Sequence, residues 1–137
     1  MTYLLDTNIC IYCINNRPAD VIRNVKNHKP HQIKISSVTV AELEYGASKS
    51  DYREKNRIAI LNFLSAFDIV PFDDKDAEIY GQIRADLESR GKIIGPYDMQ
   101  IAAQALSKDY VLVTNNTKEF ERVEGIKIEN WAKEENI

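Results

Sequence analysis

The chain has little of what would staple, stiffen or anchor it. Of its 137 residues, 2 are cysteine, 5 glycine and 4 proline. Two cysteines cannot build the disulfide framework of a small secreted domain, and so little glycine and proline excludes a collagen-like or low-complexity chain. Long apolar runs are also missing. Charges interrupt every one well before about 18 residues, and Asp6 stands where a signal peptide needs its apolar centre. A cytoplasmic protein with no membrane span is the expectation. Excess positive charge is lacking as well: 18 Lys and Arg face 21 Asp and Glu, for a net charge of −3. General affinity for polyanions comes from many basic side chains displacing counterions, so any role with nucleic acid must rest on local charge or on metal ions. What is present is the composition of a globular protein, and the length suits one domain, residues 1–137, with a core that buries about two thirds of the unfolded surface.

Short apolar runs flanked by polar residues predict strands at "TYLL" (Thr2–Leu5), "IKI" (Ile33–Ile35), "IVPF" (Ile69–Phe72) and "VLV" (Val111–Val113), with "IKIE" (Ile126–Glu129) as a last, weaker one. Helical periodicity fills the intervals: Ile9–Ile14, Ala19–Lys26 after Pro18, Val38–Ala47, Asn56–Phe67, Ala77–Leu87 and Ile101–Leu106. Asp73 or Asp74 can cap the helix carrying Ile79, Ile83 and Leu87, Gly91 can end it, and Pro96 can open the next. The polar run "SKSDYREKNR" (Ser48–Arg57) predicts a helix–helix connection. Strands alternating with helices predict an α/β fold with a mostly parallel sheet and right-handed crossovers.

In such a sheet, ligands bind outside the carboxyl ends of the strands. Asp6 follows the first strand, Glu42 lies one to two turns into the helix after "IKISS", and Asn116 and Glu119 follow the strand ending at Val113. Asp98 reaches the same rim from the start of the helix opened by "GPYD" (Gly95–Asp98). Each has a plain alternative: a turn or cap for Asp6, an N-cap for Asp98, a solvated helix face for Glu42. Together they crowd negative charge that repels unless a cation sits between them. A hard divalent ion suits them, because Mg²⁺ takes oxygen ligands from one or two carboxylates plus water and phosphate.

The rival chemistry is the thiol pair of "CIYC", Cys10 and Cys13. Zinc would want a second ligand pair, and a redox motif an exposed first cysteine, whereas Ile9, Ile11, Tyr12 and Ile14 surround these two; core packing is the expectation. His28 and His31 in "NHKPH" have no helical H-x-x-x-H spacing and no nearby Cys, and are expected to be solvent-exposed loop residues.

"LLDTNICIY", "SSVTVAELEYGA" (Ser36–Ala47), "GKIIGPYDMQIAAQA" (Gly91–Ala105) and "LVTNNTKEFERVEGIKIENW" (Leu112–Trp131) resemble, in order and over essentially the whole chain, the successive motifs of PIN-domain ribonucleases, and more narrowly of VapC toxins of bacterial toxin–antitoxin pairs. The resemblance implies a single PIN-like α/β domain, a parallel sheet of about five strands flanked by helices. It implies Asp6, Glu42 and Asp98 as catalytic, metal-site acids, the Glu of "AEL" being matched rather than Glu44, which is expected to be an exposed helix residue. The fourth position departs from the pattern: Asn116 follows the motif's Thr, and Glu119 precedes Phe120. The implied activity is Mg²⁺- or Mn²⁺-dependent cleavage of RNA, with tRNA as a candidate substrate. The implied partners are an antitoxin, which would insert an apolar stretch and a basic side chain into the acidic groove, and a second copy in a homodimer or toxin–antitoxin hetero-oligomer.

A metal held by Asp6 and Asp98, with Glu42 completing the cluster directly or through water, would activate water for in-line attack. Thr7, Asn8 and Thr114 are expected to hydrogen-bond the carboxylates and fix their aim. Phosphate contacts are expected from Lys49, Arg53, Lys55 and Arg57 in the polar connection and from Arg84, Arg90 and Lys92 ahead of Asp98, unless these form a solvated face laced with Asp51 and Glu54. Competing classes are an Mg²⁺-dependent α/β phosphatase, a receiver-like domain and a catalytically inactive PIN-like binding module. Asp6 is followed by Thr7 and Asn8 rather than the D-x-D of a haloacid-dehalogenase type, and "KISS" supplies no phosphoacceptor Asp for a receiver.

Overall fold

In the computed structural model, which describes residues 1–132, the apolar runs assemble into a five-stranded, wholly parallel sheet. The chain order is β1 (Tyr3–Leu5), α1 (Thr7–Ile14), α2 (Ala19–Lys26), β2 (Ile33–Ser36), α3 (Ser37–Lys49), α4 (Arg53–Leu64), β3 (Asp68–Val70), α5 (Asp74–Ser89), α6 (Pro96–Lys108), β4 (Val111–Val113), α7 (Thr117–Phe120) and β5 (Ile128–Glu129). In space the strands run β3-β2-β1-β4-β5, so β1 is central and hydrogen-bonds to both β2 and β4. Among the described residues no helix is long and apolar enough to cross a membrane.

The two-residue period of a strand divides the apolar side chains between two faces. Tyr3 and Leu5 join Ile33, Ile35, Val111 and Val113 in one core, covered by Ile9, Cys10, Val21, Leu43, Ala47, Ile60 and Leu64 of α1 to α4. Leu4 and Leu112 point the other way, into a core closed by Ile83 and Leu87 of α5, Met99 to Ala105 of α6, and Phe120. Helix α3 belongs to both, with Val38 in the second core and Leu43 and Ala47 in the first. Register then sets the site. Leu5 stands opposite both Ile35 and Val113, so the next residues, Asp6, Ser36 and Thr114, stand side by side at the carboxyl edge of the sheet.

The expected punctuation is present. Asp73 and Asp76 form a reciprocal capping box at the start of α5, at 3.0 and 2.9 Å, and Pro96 is the first residue of α6. Gly91 follows α5 at φ 65°, the left-handed geometry glycine adopts without steric cost. Two expectations are corrected, for the polar run and for His28, and one element, α7, is additional. The polar run from Ser48 to Arg57 is mostly helix: α3 continues to Lys49, α4 begins at Arg53, and only Ser50–Tyr52 connects them. Ser50 makes so short a break possible by donating to the Ala47 carbonyl (2.7 Å) while accepting from Asn56 (2.9 Å). Helix α7 is a single turn, too short to carry a periodic signal. His28 is half-buried, not solvent-exposed: it stacks on Trp131 at 4.4 Å, meets Tyr3 edge-on at 4.7 Å and bonds the Asn24 carbonyl; His31 is exposed.

The cysteines pack as expected. Cys10 is fully buried and Cys13 half-buried, both as free thiols, and burial raises the Cys13 pKa to about 11 and that of Cys10 well above its usual value. Neither is a thiolate at neutral pH. Cys10→Ser therefore buries a hydroxyl in an apolar core and lowers unfolding stability by about 1–3 kcal/mol, read by denaturant titration, while metal-dependent activity of the folded protein is unchanged.

Candidate functional site

Asp6 is the first residue past β1, and its two carboxylate oxygens have separate tasks. Oδ1 accepts from the Ile9 amide (2.9 Å), capping α1, and Oδ2 accepts from the Thr114 hydroxyl (2.5 Å) at the end of β4. The cap and the site residue are thus one side chain. Thr114 is held in turn by the Asn116 amide, which donates to its Oγ1 at 2.9 Å. Asp6 is 5% exposed.

Glu42 comes from the second turn of α3 and is half-buried. Its Oε1 accepts from Thr7 (2.7 Å), and Thr7 lies 3.1 Å from Thr39. A hydroxyl has one proton. Since Thr7 gives its proton to Glu42, Thr39 must donate to Thr7, and the chain runs Thr39→Thr7→Glu42. Thr39 is fully buried and was not foreseen; its signal in the sequence is its place three residues before Glu42, on the same face of α3.

Asp98 is the third residue of α6. The N-cap is Gly95, and among the described residues the Asp98 side chain makes no hydrogen bond. Glu119 on α7 is held by Asn116, whose Nδ2 donates to Oε2 at 2.9 Å. Of the two candidates for the fourth position, Glu119 is the one whose charge acts on Asp98, and Asn116 aims it. Asn8 is the exception among the expected supports. It is exposed and bonds none of the acids among the described residues, because the first turn of α1 faces it to solvent.

The four acids meet electrostatically. Burial, and then the charges of Asp98 and Glu42, raise the Asp6 pKa to about 6, against the pull of its hydrogen bonds to Thr114 and Ile9. Asp98 is raised in the same direction by burial, Glu42 and Glu119. None of the ion pairs among the described residues involves Asp6, Glu42, Asp98 or Glu119. Carboxylates this close with no basic partner fit a divalent cation. Among the described residues no group of three Asp, Glu, His or Cys side chains is placed to hold a metal ion by itself; a hard divalent ion here would take one or two carboxylates and complete its shell with water.

The basic side chains expected to hold phosphate divide into occupied and free. Arg84 is bound to Glu88 (2.8 Å) and Tyr80, Arg90 to Asp86 (2.7 Å) and the Arg122 carbonyl, and Arg57 to Glu44 (3.2 Å). Glu44 is thereby turned from the acids, though half-buried rather than exposed. Lys49 and Lys55 lie over the rings of Tyr45 and Tyr52. Arg53 and Lys92 are exposed, without a side-chain partner among the described residues.

The chain matches the PIN domain over residues 3–126. It is 46% identical over 132 residues to a tRNA(fMet)-specific endonuclease VapC of Shigella flexneri, covering 96% of this chain and 99% of that protein. To a ribonuclease VapC2 of Rickettsia felis it is 45% identical over 134 residues, covering 97% and 100%. Among solved structures, the VapBC2 complex of Rickettsia felis bound to promoter DNA superposes with a TM-score of 0.90 at 44% identity, over 96% of this chain and 99% of that one. DNA-bound VapBC of Salmonella typhimurium gives the same TM-score and identity, over 96% and 98%.

The raised Asp6 pKa has a sign. The folded protein holds this proton more tightly than the unfolded chain, so the stabilisation from protonated Asp6 is complete below pH 3.8 and is lost as pH rises through about 6. Metal-free protein loses about 1–2 kcal/mol of stability between pH 5 and 7.5, and Asp6→Asn reduces that slope, leaving the part due to Asp98, and raises Tm at neutral pH. Asp68 and Asp73, whose pKa values lie below the usual carboxylate range, act only at lower pH. Thermal denaturation in chelator, repeated with excess Mg²⁺, measures this; a flat profile for the metal-free protein would refute it.

Proposed function

The chain belongs to the PIN-domain family, among the VapC ribonucleases, and from that premise we propose that it is the toxin of a toxin–antitoxin pair, hydrolysing RNA at Asp6, Glu42 and Asp98 with Mg²⁺ or Mn²⁺. The observation that carries this is the meeting of acids from the end of β1, α3 and α6, with no basic side chain paired to them among the described residues.

Asp6 and Asp98 would hold the ion, Glu42 would complete the cluster directly or through water, and Glu119, aimed by Asn116, would be the fourth acid. A divalent cation in such a site lowers the pKa of water and neutralises charge growing on a phosphate. The chain's own work is to keep carboxylates ionised and aimed where burial and mutual repulsion favour protonation. Hydrogen bonds from Thr114 and the Ile9 amide do this for Asp6, and the Thr39–Thr7 chain fixes the aim of Glu42. Lys92 and Arg53 are free to meet backbone phosphates, which positions RNA without reading its sequence.

The relatives from Shigella flexneri and Salmonella typhimurium are called tRNA(fMet)-specific, and a tRNA is the substrate proposed for this chain. The neighbours solved as VapBC complexes support an antitoxin as partner. A groove of about 270 Å³ between α1, α3 and α4, lined by Ile11, Ile14, Leu43, Ala59 and Ile60 with Glu42 at its edge, suits an antitoxin segment that pairs an apolar stretch with a basic side chain.

Asp98→Asn abolishes cleavage with the fold intact, and Thr114→Val, which leaves Asp6 unaimed, lowers it about 10- to 100-fold. Mapping new RNA 5′ ends after brief expression, wild type beside Asp98→Asn, identifies the substrate and the bond cut. New 5′-phosphate ends that persist in the Asp98 variant would remove that residue from the site.

A further inference from the structure

Three tyrosines expose more than half of their surface: Tyr45 at 66%, Tyr52 at 70% and Tyr97 at 53%. The first two are covered from their own neighbourhood, with Lys49 Nζ 5.0 Å from the centre of the Tyr45 ring and Lys55 Nζ 5.9 Å from that of Tyr52. Tyr97 has neither a cation over its ring nor a partner for its hydroxyl among the described residues, and it is the one that immediately precedes a site acid, Asp98.

Its position is built. Pro96 sets the first turn of α6, and the segment leading into it is tied down by Arg122, which donates to the Ile93 carbonyl at 3.1 Å while its own carbonyl accepts from Arg90 at 2.6 Å. On that segment Ile94 is buried, Ile93 is 49% exposed and Lys92 is free. On α6, positions 97, 101 and 104 share a face. Ile101 and Gln104 are fully buried, with Gln104 donating to the carbonyls of Val70 (2.9 Å) and Pro71 (3.2 Å) at the end of β3. Tyr97 stands on that face two turns before Gln104, 53% exposed and directly ahead of Asp98 in the first turn of α6.

We propose that Tyr97 is the platform on which an unpaired nucleobase of the substrate stacks, beside the phosphate presented to Asp98. The proposal rests on the ribonuclease assignment. Structured RNA is recognised largely through unpaired loop bases laid on aromatic rings, and each such stack contributes about 1–3 kcal/mol. A rigid ring next to the acid fixes the neighbouring nucleotide.

Two experiments separate this from the assignment beneath it. In the first, an anticodon stem-loop RNA carrying 2-aminopurine at one loop position at a time is bound, with Mg²⁺, to the Asp98→Asn protein. Fluorescence falls at one position, the fall persists with Tyr97→Phe, and it disappears with Tyr97→Leu, which keeps apolar bulk but has no π face. In the second, cleavage of the same RNA by otherwise wild-type protein shows KM raised about tenfold by Tyr97→Leu and Tyr97→Ala, kcat within about threefold of wild type, and recovery with Phe. Quenching or KM indifferent to the Leu variant overturns the platform, as does a change of oligomeric state by light scattering in Tyr97→Ala. A wild-type protein that cuts no RNA with either metal fails the ribonuclease assignment instead, and the binding experiment alone then judges Tyr97.

Discussion

Carboxylates assembled in a half-dry rim with no basic partner are the constraint the rest of this protein serves. Asp6, Glu42, Asp98 and Glu119 come from a strand end, the second turn of one helix, the first turn of another and a single-turn helix. Each is easy to place alone; together they oppose folding, and a domain of this size has only about 5–15 kcal/mol to spend against them. The apolar content of both cores holds them at that rim in the absence of a cation. Binding an ion to the folded chain, and not to the unfolded one, returns that energy as stability.

The polar groups behind the acids are arranged with the same end. Every donor in the immediate network points toward a carboxylate: Thr39 through Thr7 to Glu42, the Asn116 amide through Thr114 to Asp6, and the Asn116 side chain to Glu119. Asn116 serves two acids with two different groups, backbone and side chain. Such networks favour the charged form of what they hold, partly offsetting the burial that disfavours it. Five hydrogen-bond donors thus do locally what a lysine would do more strongly, while leaving the remaining lone pairs open to a ligand.

Much of this was legible because strands of three or four residues end abruptly. Asp6 and Thr114 stand directly after "YLL" and "VLV", and the rule that parallel sheets bind at their carboxyl edge makes them rim residues without coordinates. Asp98 was legible from Pro96, which fixes where the helix begins. The failures are equally local. Asn8 follows Thr7 in the same motif, yet the first turn of α1 faces it outward, and motif membership does not reveal which way a turn points. Thr39 lay inside a helix whose buried face is mixed, with neighbours in two cores, so periodicity did not single it out. Arg84 and Lys49 were visible as charge, but Glu88 one turn along and Tyr45 one turn back had already engaged them. His28 was assigned to solvent because its stacking partner, Trp131, lies more than a hundred residues away.

The double membership of α3 has a consequence for motion. A helix that places Val38 on one side of the sheet and Leu43 on the other works as a rivet through both layers. Neither layer can loosen around Glu42 without dragging the opposite one, so opening of the acidic rim and global unfolding become the same event, and amide exchange along α3 should report the slowest protons in the molecule.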